Sequence, residues 1–275
     1  MPLLEDRVAV ITGAGRGIGR AVALTFAREG ARVVINDLDE GPAAEVAAEC
    51  EAVGSSGCAA SSAGSVADSA YTDELMAFAA ARWPEGEGSI DILVNNAGMA
   101  RDRVVHKMEG DEWDIVIAVN LKGTFHGIRS VAPYMRDVAK NEMSEHGEVL
   151  KVRKIVNFFS TAAIRGNPGQ INYTAAKMGN VGITRTMAQE WGRFRICVNA
   201  VAPGFTDTRM TKARAKGDPG LGVPAEHREA MIRRIPFGRI GIPQDIANAV
   251  LFFSSPLSDY VTGQQINVSG GMQIP

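Results

Sequence analysis

The sequence predicts a single α/β domain: a doubly wound parallel β-sheet with helices on both faces. Three observations carry that prediction. Short apolar, β-branched runs alternate regularly with longer Ala-rich stretches of helical period. Several runs are almost continuously apolar, as strands covered on both faces must be. A cluster of glycines, Gly13, Gly15, Gly17 and Gly19, separates the first run from the helix that follows it. The length of 275 residues suits one large domain, and no repeat or second domain is visible, so 1–275 reads as one unit.

Taken in order, VAVI (8–11), RVVIN (32–36), DILVN (91–95), KIVNFF (154–159), RICVNAV (195–201) and QQINVSG (264–270) read as strands. The helices read as 17–29, 41–53, 68–83, 112–138, 172–191 and 243–254. Two segments break the pattern. Residues 139–153, AKNEMSEHGEVLKVR, are charged and aperiodic, and are expected to project from the surface. Residues 206–236 carry Gly217, Pro219, Gly220, Gly222 and Pro224 among charges. That stretch is long for a connection and follows a strand end, where lids are commonly found. Its Met210, Leu221, Val223 and Met231, with Phe237 beyond, could line an apolar cleft or pack the lid itself.

Composition narrows the function. A hydrophobic share of 45% and a charged share of 22% are those of a chain that buries a core. The net charge of −2, without a basic block, argues against nucleic acid and anionic membrane as partners. No apolar run reaches the ~18 residues of a membrane helix. The start MPLLEDRVAV has acids before its apolar run and no basic n-region, so it does not read as a signal peptide and a cytoplasmic location is expected. Cys50, Cys58 and Cys197 lack metal-ligand spacing, no metal is expected, and free thiols suit them better than a Cys50–Cys58 bridge. His106, His126, His146 and His227 have no matching partners and read as surface or packing residues.

The glycine cluster between strand and helix is where a backbone can approach a pyrophosphate and a helix N-terminus can face its charge. Asp37 ends the second strand 18 residues after Gly19. An acid there accepts bonds from ribose hydroxyls and repels a 2′-phosphate, which favours NAD over NADP. Arg16, which could hold a phosphate, keeps NADP open. Asp37 and Asp39 are also candidate helix caps. Further along, Tyr173 and Lys177 stand four apart and share a helix face. A phenol, with a free pKa near 10, is a poor base at neutral pH, and a neighbouring ammonium stabilises its phenolate. Ser160, just past a strand end, could bond a substrate oxygen on which charge develops. Taken alone, Tyr173 and Lys177 would more often be solvated helix residues, and Ser160 would usually be a strand-end or capping residue.

Together they resemble the short-chain dehydrogenase/reductase family, whose fold is of Rossmann type. TGAGRGIG (12–19), NNAG (95–98), VNLKG (119–123), Ser160 with Tyr173-x-x-x-Lys177, Pro203-Gly204 and VTGQQINVSGG (261–271) match the family's motifs in order along nearly the whole chain. Within the family, MARDRVVHKM, EWDIVIAVNL and NPGQINYTAAK are similar to the 3-oxoacyl-(acyl-carrier-protein) reductase branch, and to related hydroxyacyl-CoA and hydroxysteroid dehydrogenases. The resemblance implies an oxidoreductase that moves a hydride between NAD(H) and a secondary alcohol or ketone. It implies Tyr173 as acid/base, Lys177 on the nicotinamide ribose, Ser160 on the substrate and Asn120 holding a relay water. It implies cofactor contacts from Gly13, Arg16, Gly17, Ile18, Gly19, Asp37, Val66, Asn96, Ala97, Gly98, Tyr173, Lys177, Pro203, Gly204, Thr206 and Thr208. It also implies a homotetramer built on the Tyr173 helix and on the last strand with its neighbouring helix.

One departure stands out. Many relatives place an acid or asparagine before the valine that follows the third strand, where it meets adenine. Here the stretch is SSAGSVAD, so that contact is in doubt and Asp68 reads as a helix cap. A non-catalytic redox sensor with the same cofactor site is the alternative of another class. Such a protein would be expected to lose the tyrosine, lysine or serine, and this chain keeps all three. The small residues Ala175, Ala176 and Gly179 suit a helix packed closely on its neighbours.

Overall fold

The computed structural model describes residues 2–83, 88–214 and 222–272. Seven parallel strands form the central sheet: β1 (Val8–Ile11), β2 (Arg32–Asp37), β3 (Ala59–Ala63), β4 (Ile92–Asn95), β5 (Arg153–Phe158), β6 (Ile196–Pro203) and β9 (Gln265–Val268). Their spatial order is β3-β2-β1-β4-β5-β6-β9. The order reverses between β1 and β4, which pair through Ala9↔Ile92 and Ile11↔Val94. The crevice beyond the carboxyl ends of these two strands is where such a sheet binds ligands.

Alternation along each strand explains the near-continuous apolar runs. Ala9, Ile11, Val33, Ile35, Ile92, Val94, Val156 and Phe158 pack to one side, with Val22, Phe26, Ile246, Val250 and Phe253. Those last residues lie on α1 (Gly17–Arg28) and α10 (Pro243–Ser254). Val8, Val10, Val34, Leu93, Ile155 and Val198 pack to the other side, with Leu75, Met76, Ile128, Val131 and Trp191. Those helices are α3 (Ser69–Arg82), α5 (Gly123–Ala132) and α8 (Ile171–Trp191). Both sheet faces are therefore buried, and neither could tolerate regular polar alternation. On the first side α2 (Glu40–Val53) also packs, through Ala43, Val46 and Cys50.

Three differences from the sequence reading have physical causes. The strand β3, AASSA, pairs with β2 at the sheet edge but lacks the β-branched residues that mark the others. The segment 139–153 does not simply project. Helix continues from α4 (Gly110–Ile117) through α5 to α6 (Val138–His146), with wide π turns at Ala118–Lys122 and Pro133–Asp137. Ala139 and Val149 are buried, and Arg153 is 0% exposed, its guanidinium held by Glu142 at 2.6 Å. The 206–236 segment carries secondary structure: a two-stranded pair, β7 (Ala213–Arg214) and β8 (Val223–Pro224), leads into α9 (Ala225–Arg233). Arg228 ties that helix back to Asp207 at 3.0 Å and to the Thr211 carbonyl. Gly217, Pro219, Gly220 and Leu221 lie outside the described residues. A five-residue helix, α7 (Thr161–Arg165), follows β5. Among the described residues no helix is long and apolar enough to cross a membrane. All three cysteines are free and buried.

Candidate active site

The loop between β1 and α1 shows why its glycines are glycines. Gly13 has φ +62°, and a Cβ there would stand 2.7 Å from the Ala97 Cα. A Cβ on Gly19 would meet the Gly13 carbonyl at 2.4 Å. The loop is thus pressed against the segment after β4, and Asn96 fastens the two. Its amide donates to the carbonyls of Thr12 and Gly13, both at 2.8 Å. Thr12 completes the clasp: its hydroxyl accepts from the backbone N–H groups of Asn96 and Ala97 and donates to the Val94 carbonyl. Asn96 therefore serves the loop directly, beyond forming a turn.

Asp37 lies at the carboxyl end of β2 beside this loop. Its carboxylate accepts from the Gly15 N–H at 2.9 Å and from Arg16 at 3.5 Å. Arg16 also pairs with Asp39 at 2.8 Å. Neither acid caps α2 with its side chain, because both face the arginine. Asp68 does cap α3, accepting from the Ala70 N–H. Ile18, partly buried, packs its side chain against the core. Val66 is buried against Gly123 at the start of α5, and His126 bonds its carbonyl, a packing role.

At the other side of the crevice the sheet ends bring the polar residues together. Tyr173 is half-buried on the first turns of α8, with the Lys177 ammonium 5.7 Å from its ring centre. Lys177 is 4% exposed and donates to the Phe158 carbonyl at 3.3 Å. Burial pushes its pKa down to about 8. Burial pushes the Tyr173 phenol up, the facing Ser160 hydroxyl pulls it down, and the Asp102 carboxylate adds to the rise. Ser160 is also the N-cap of α7, accepting from the Ala162 N–H at 3.2 Å, so both readings of this residue hold.

Asn120 sits in the first π turn and is wholly buried. Its amide N–H groups donate to Met99 and Val116, while its Oδ1 has no partner. A Cβ on Gly98 would lie 2.7 Å from that Oδ1 and 3.2 Å from the Lys177 Nζ, so Asn120 and Lys177 converge on one glycine. Asn180, which the sequence reading missed, holds this corner. Its amide donates to the Asn120 and Phe158 carbonyls, at 3.0 and 2.9 Å. It lies one turn beyond Lys177 on the same helix face, the one signal that pointed to it. Gly179 admits Leu121 against α8, whereas Ala175 faces outward.

After β6, the Pro203 carbonyl accepts from Thr161, and Gly204 packs on Ser269 where a Cβ would clash at 2.6 Å. Thr206 is buried, its hydroxyl turned back to the Gly204 carbonyl. Thr208 lies over Gly17, within 3.7 Å of where its Cβ would be. This strand end therefore borders the glycine loop. The residues present fit a nicotinamide dinucleotide: a close-packed glycine loop at a helix N-terminus, an acid at the second strand end, and an unpartnered Asn120 Oδ1 beside a buried ammonium.

A doubly wound sheet with this loop and a Ser–Tyr–Lys constellation across its crevice defines a nicotinamide-dependent oxidoreductase acting on CH–OH groups. The comparisons agree. A family model described as enoyl-(acyl carrier protein) reductase matches residues 13–273. The 3-oxoacyl-[acyl-carrier-protein] reductase FabG of Thermotoga maritima is 40% identical over 98% of this chain and 99% of its own. The FabG of Vibrio harveyi is 37% identical over 98% of both chains. A crystal structure from Sinorhizobium meliloti, carrying the name short-chain alcohol dehydrogenase, aligns at TM-score 0.83 with 33% identity, covering 98% of this chain and 97% of that one. The chain belongs to the short-chain dehydrogenase/reductase family.

Proposed function

We propose that the protein transfers a hydride between NAD(H) and a secondary alcohol or ketone, with 3-oxoacyl or 3-hydroxyacyl thioesters as its substrates. The carrying observation is the half-buried Tyr173 phenol, flanked by the Ser160 hydroxyl and the Lys177 ammonium at 5.7 Å. Bound cofactor supplies or accepts the hydride. Tyr173 gives its proton to the ketone oxygen, or takes it from the alcohol. Ser160 donates to that oxygen while charge builds on it. Lys177 offsets the phenolate charge, as an ammonium beside a phenol does, and is well placed to hold the nicotinamide ribose. Asn120, with its free Oδ1, orients a water that returns protons to Lys177. Arg16, occupied by Asp37 and Asp39, supports NAD over NADP. The thioester class rests on likeness to relatives named for 3-oxoacyl carrier substrates.

The test is Tyr173→Phe, assayed with a panel of 3-oxoacyl thioesters and simple ketones under NADH and NADPH in parallel. Reduction should fall by about 10²–10⁴-fold, while NADH binding, read by fluorescence titration, persists. Wild-type rates in this variant would remove Tyr173 from the mechanism. Activity confined to simple ketones would replace the thioester reading by that of a small-alcohol dehydrogenase. A cytoplasmic homotetramer is part of the same proposal. Phe125 and Met178, on α5 and α8, are 51% and 44% exposed, and Phe252 and Leu257, at and beyond the end of α10, are 39% and 66% exposed. Apolar surface of this kind suits burial between copies.

A further inference from the structure

A line of buried polar side chains runs from the sheet to Lys177. Asn95 and Asn157 face each other in register on β4 and β5, and the Asn95 amide donates to the Asn157 Oδ1 at 2.9 Å. The Asn157 amide donates to the Thr184 hydroxyl at 3.0 Å. That hydroxyl donates to the Asn180 carbonyl, one turn back on α8, at 2.7 Å. The Asn180 side chain continues the line, its amide donating to the carbonyls of Phe158 and Asn120 at 2.9 and 3.0 Å. The Phe158 carbonyl also accepts from the Lys177 ammonium, at 3.3 Å. Asn95, Asn157, Thr184, Asn180, Asn120 and Lys177 are each 4% exposed or less. Among the described residues the Asn180 Oδ1 has no partner. A leucine of the same shape would avoid burying that oxygen unpaired. What asparagine adds over leucine here is its two donors.

We propose that Asn180 is a positioning residue for proton transfer: it fixes the Phe158 and Asn120 carbonyls against α8 and thereby aims the Lys177 ammonium. This rests on Tyr173 and Lys177 being the proton-transfer pair. A lysine ammonium ends a flexible four-carbon stem and can turn among acceptors. Its acceptor here is the Phe158 carbonyl, so the place of that carbonyl sets the place of the charge. Asn180 holds the same carbonyl more closely than Lys177 does. Its second donor holds the Asn120 carbonyl in the π turn, where the Thr124 hydroxyl is the other side-chain partner at 3.3 Å. One amide thus locks the end of β5, the π turn and α8 around the ammonium. Thr184 and Asn157 fix the turn of α8 that carries this amide to the sheet. Such a network tolerates little displacement, because each buried group it frees would go unpaired. Catalysis tolerates little either, since a 1 Å misplacement of a reacting group can cost about 100-fold.

The experiment compares wild type with Asn180→Leu, Thr184→Val and Thr184→Ser. Asn180→Leu keeps the shape of the side chain and removes both donors. The Phe158 carbonyl keeps Lys177 and the Asn120 carbonyl keeps Thr124, so neither is stranded. Thr184→Val removes only the hydroxyl, and Thr184→Ser keeps it. Ketone reduction is measured with saturating NADH, and with NADH deuterated at the transferred position, below the pH of about 8 at which Lys177 loses its charge. Rates are expressed per NADH site, counted by fluorescence titration, so that loss of folded protein does not enter. In Asn180→Leu, kcat per site should fall by about 10–100-fold, with a deuterium effect at least as large as that of wild type. Thr184→Val should show a smaller fall of the same kind, and Thr184→Ser should match wild type. A wild-type kcat per site in Asn180→Leu would overturn the proposal. So would a fall in kcat with a deuterium effect reduced towards unity, which places the slow step outside the chemistry. If Asn180→Leu binds no NADH, Thr184→Val decides: an unchanged kcat per site, or no NADH binding there too, overturns the proposal and leaves Asn180 to the fold. A fall in Asn180→Leu with none in Thr184→Val, or an equal fall in Thr184→Ser, would overturn the part assigned to the Thr184 hydroxyl. If Tyr173→Phe is inactive while Asn180→Leu keeps the wild-type rate, only this inference fails. If Tyr173→Phe is fully active, the acid/base reading fails with it.

Discussion

Tyr173 and Lys177 work against their surroundings. Burial disfavours the charged form of each, raising the phenol and lowering the ammonium to about 8. Ketone reduction needs a protonated phenol and a charged ammonium. Because the lysine pKa is depressed, its charge is complete only well below about 8 and is lost as pH rises through that value. We therefore expect kcat/KM for reduction to fall with a limb near 8, read from initial rates across pH. Lys177→Met should abolish that limb and lower the rate by about 10²–10⁴-fold. These two residues, with Ser160 and Asn120, were legible in the sequence because their spacing on one chain states the chemistry. Asn180 and Thr12 were not. A lone asparagine or threonine in a sequence gives no sign of which carbonyls it will face, and those carbonyls come from elements 22 to 82 residues away.

At the level of elements, the glycine loop and the long α4–α6 helix set tolerances. Gly13→Ala combines a left-handed backbone with a contact 2.7 Å from the Ala97 backbone. It should cost about 1–3 kcal/mol of stability and weaken NADH binding, both measurable by denaturation and titration. The buried Arg153–Glu142 pair anchors α6 to the start of β5. Arg153→Ala should destabilise by about 3–5 kcal/mol, because a mostly buried carboxylate is left without its cation; urea unfolding reads this directly. The same pair explains why 139–153 was misread. Its charges look solvated in sequence, but two of them neutralise each other inside. β3 was overlooked for the converse reason: AASSA has no strand signature and is a strand only because β2 offers it an edge. The π turns around Asn120 were equally invisible, since the Asn120 carbonyl is bonded by Asn180 from another helix as well as by the nearby Thr124 hydroxyl.

Across the whole molecule, the two chemistries meet where the strand order reverses. The loops after β1 and β4 come together there, bonded through Asn96 and Thr12, while β5 delivers Ser160 and α8 delivers Tyr173 and Lys177. Asp37→Ala with Asp39→Ala would release Arg16. We expect this double variant to gain affinity for NADPH relative to NADH, since an arginine no longer paired can bind a phosphate; parallel titrations measure the ratio. Light scattering at micromolar concentration should give a mass near four times that of one chain. The sequence by itself determined the doubly wound class, six of the seven sheet strands, the glycine loop and the Ser–Tyr–Lys residues. It could do so because strand and helix periods, turn glycines and motif spacings are local properties. Only the tertiary structure decided that Arg16 is shared by two acids, that Asn180 braces the Asn120 and Phe158 carbonyls beside Lys177, and that Arg153 lies inside. Burial and partnership arise between residues distant in the chain, and these set the charge and proton affinity of the site.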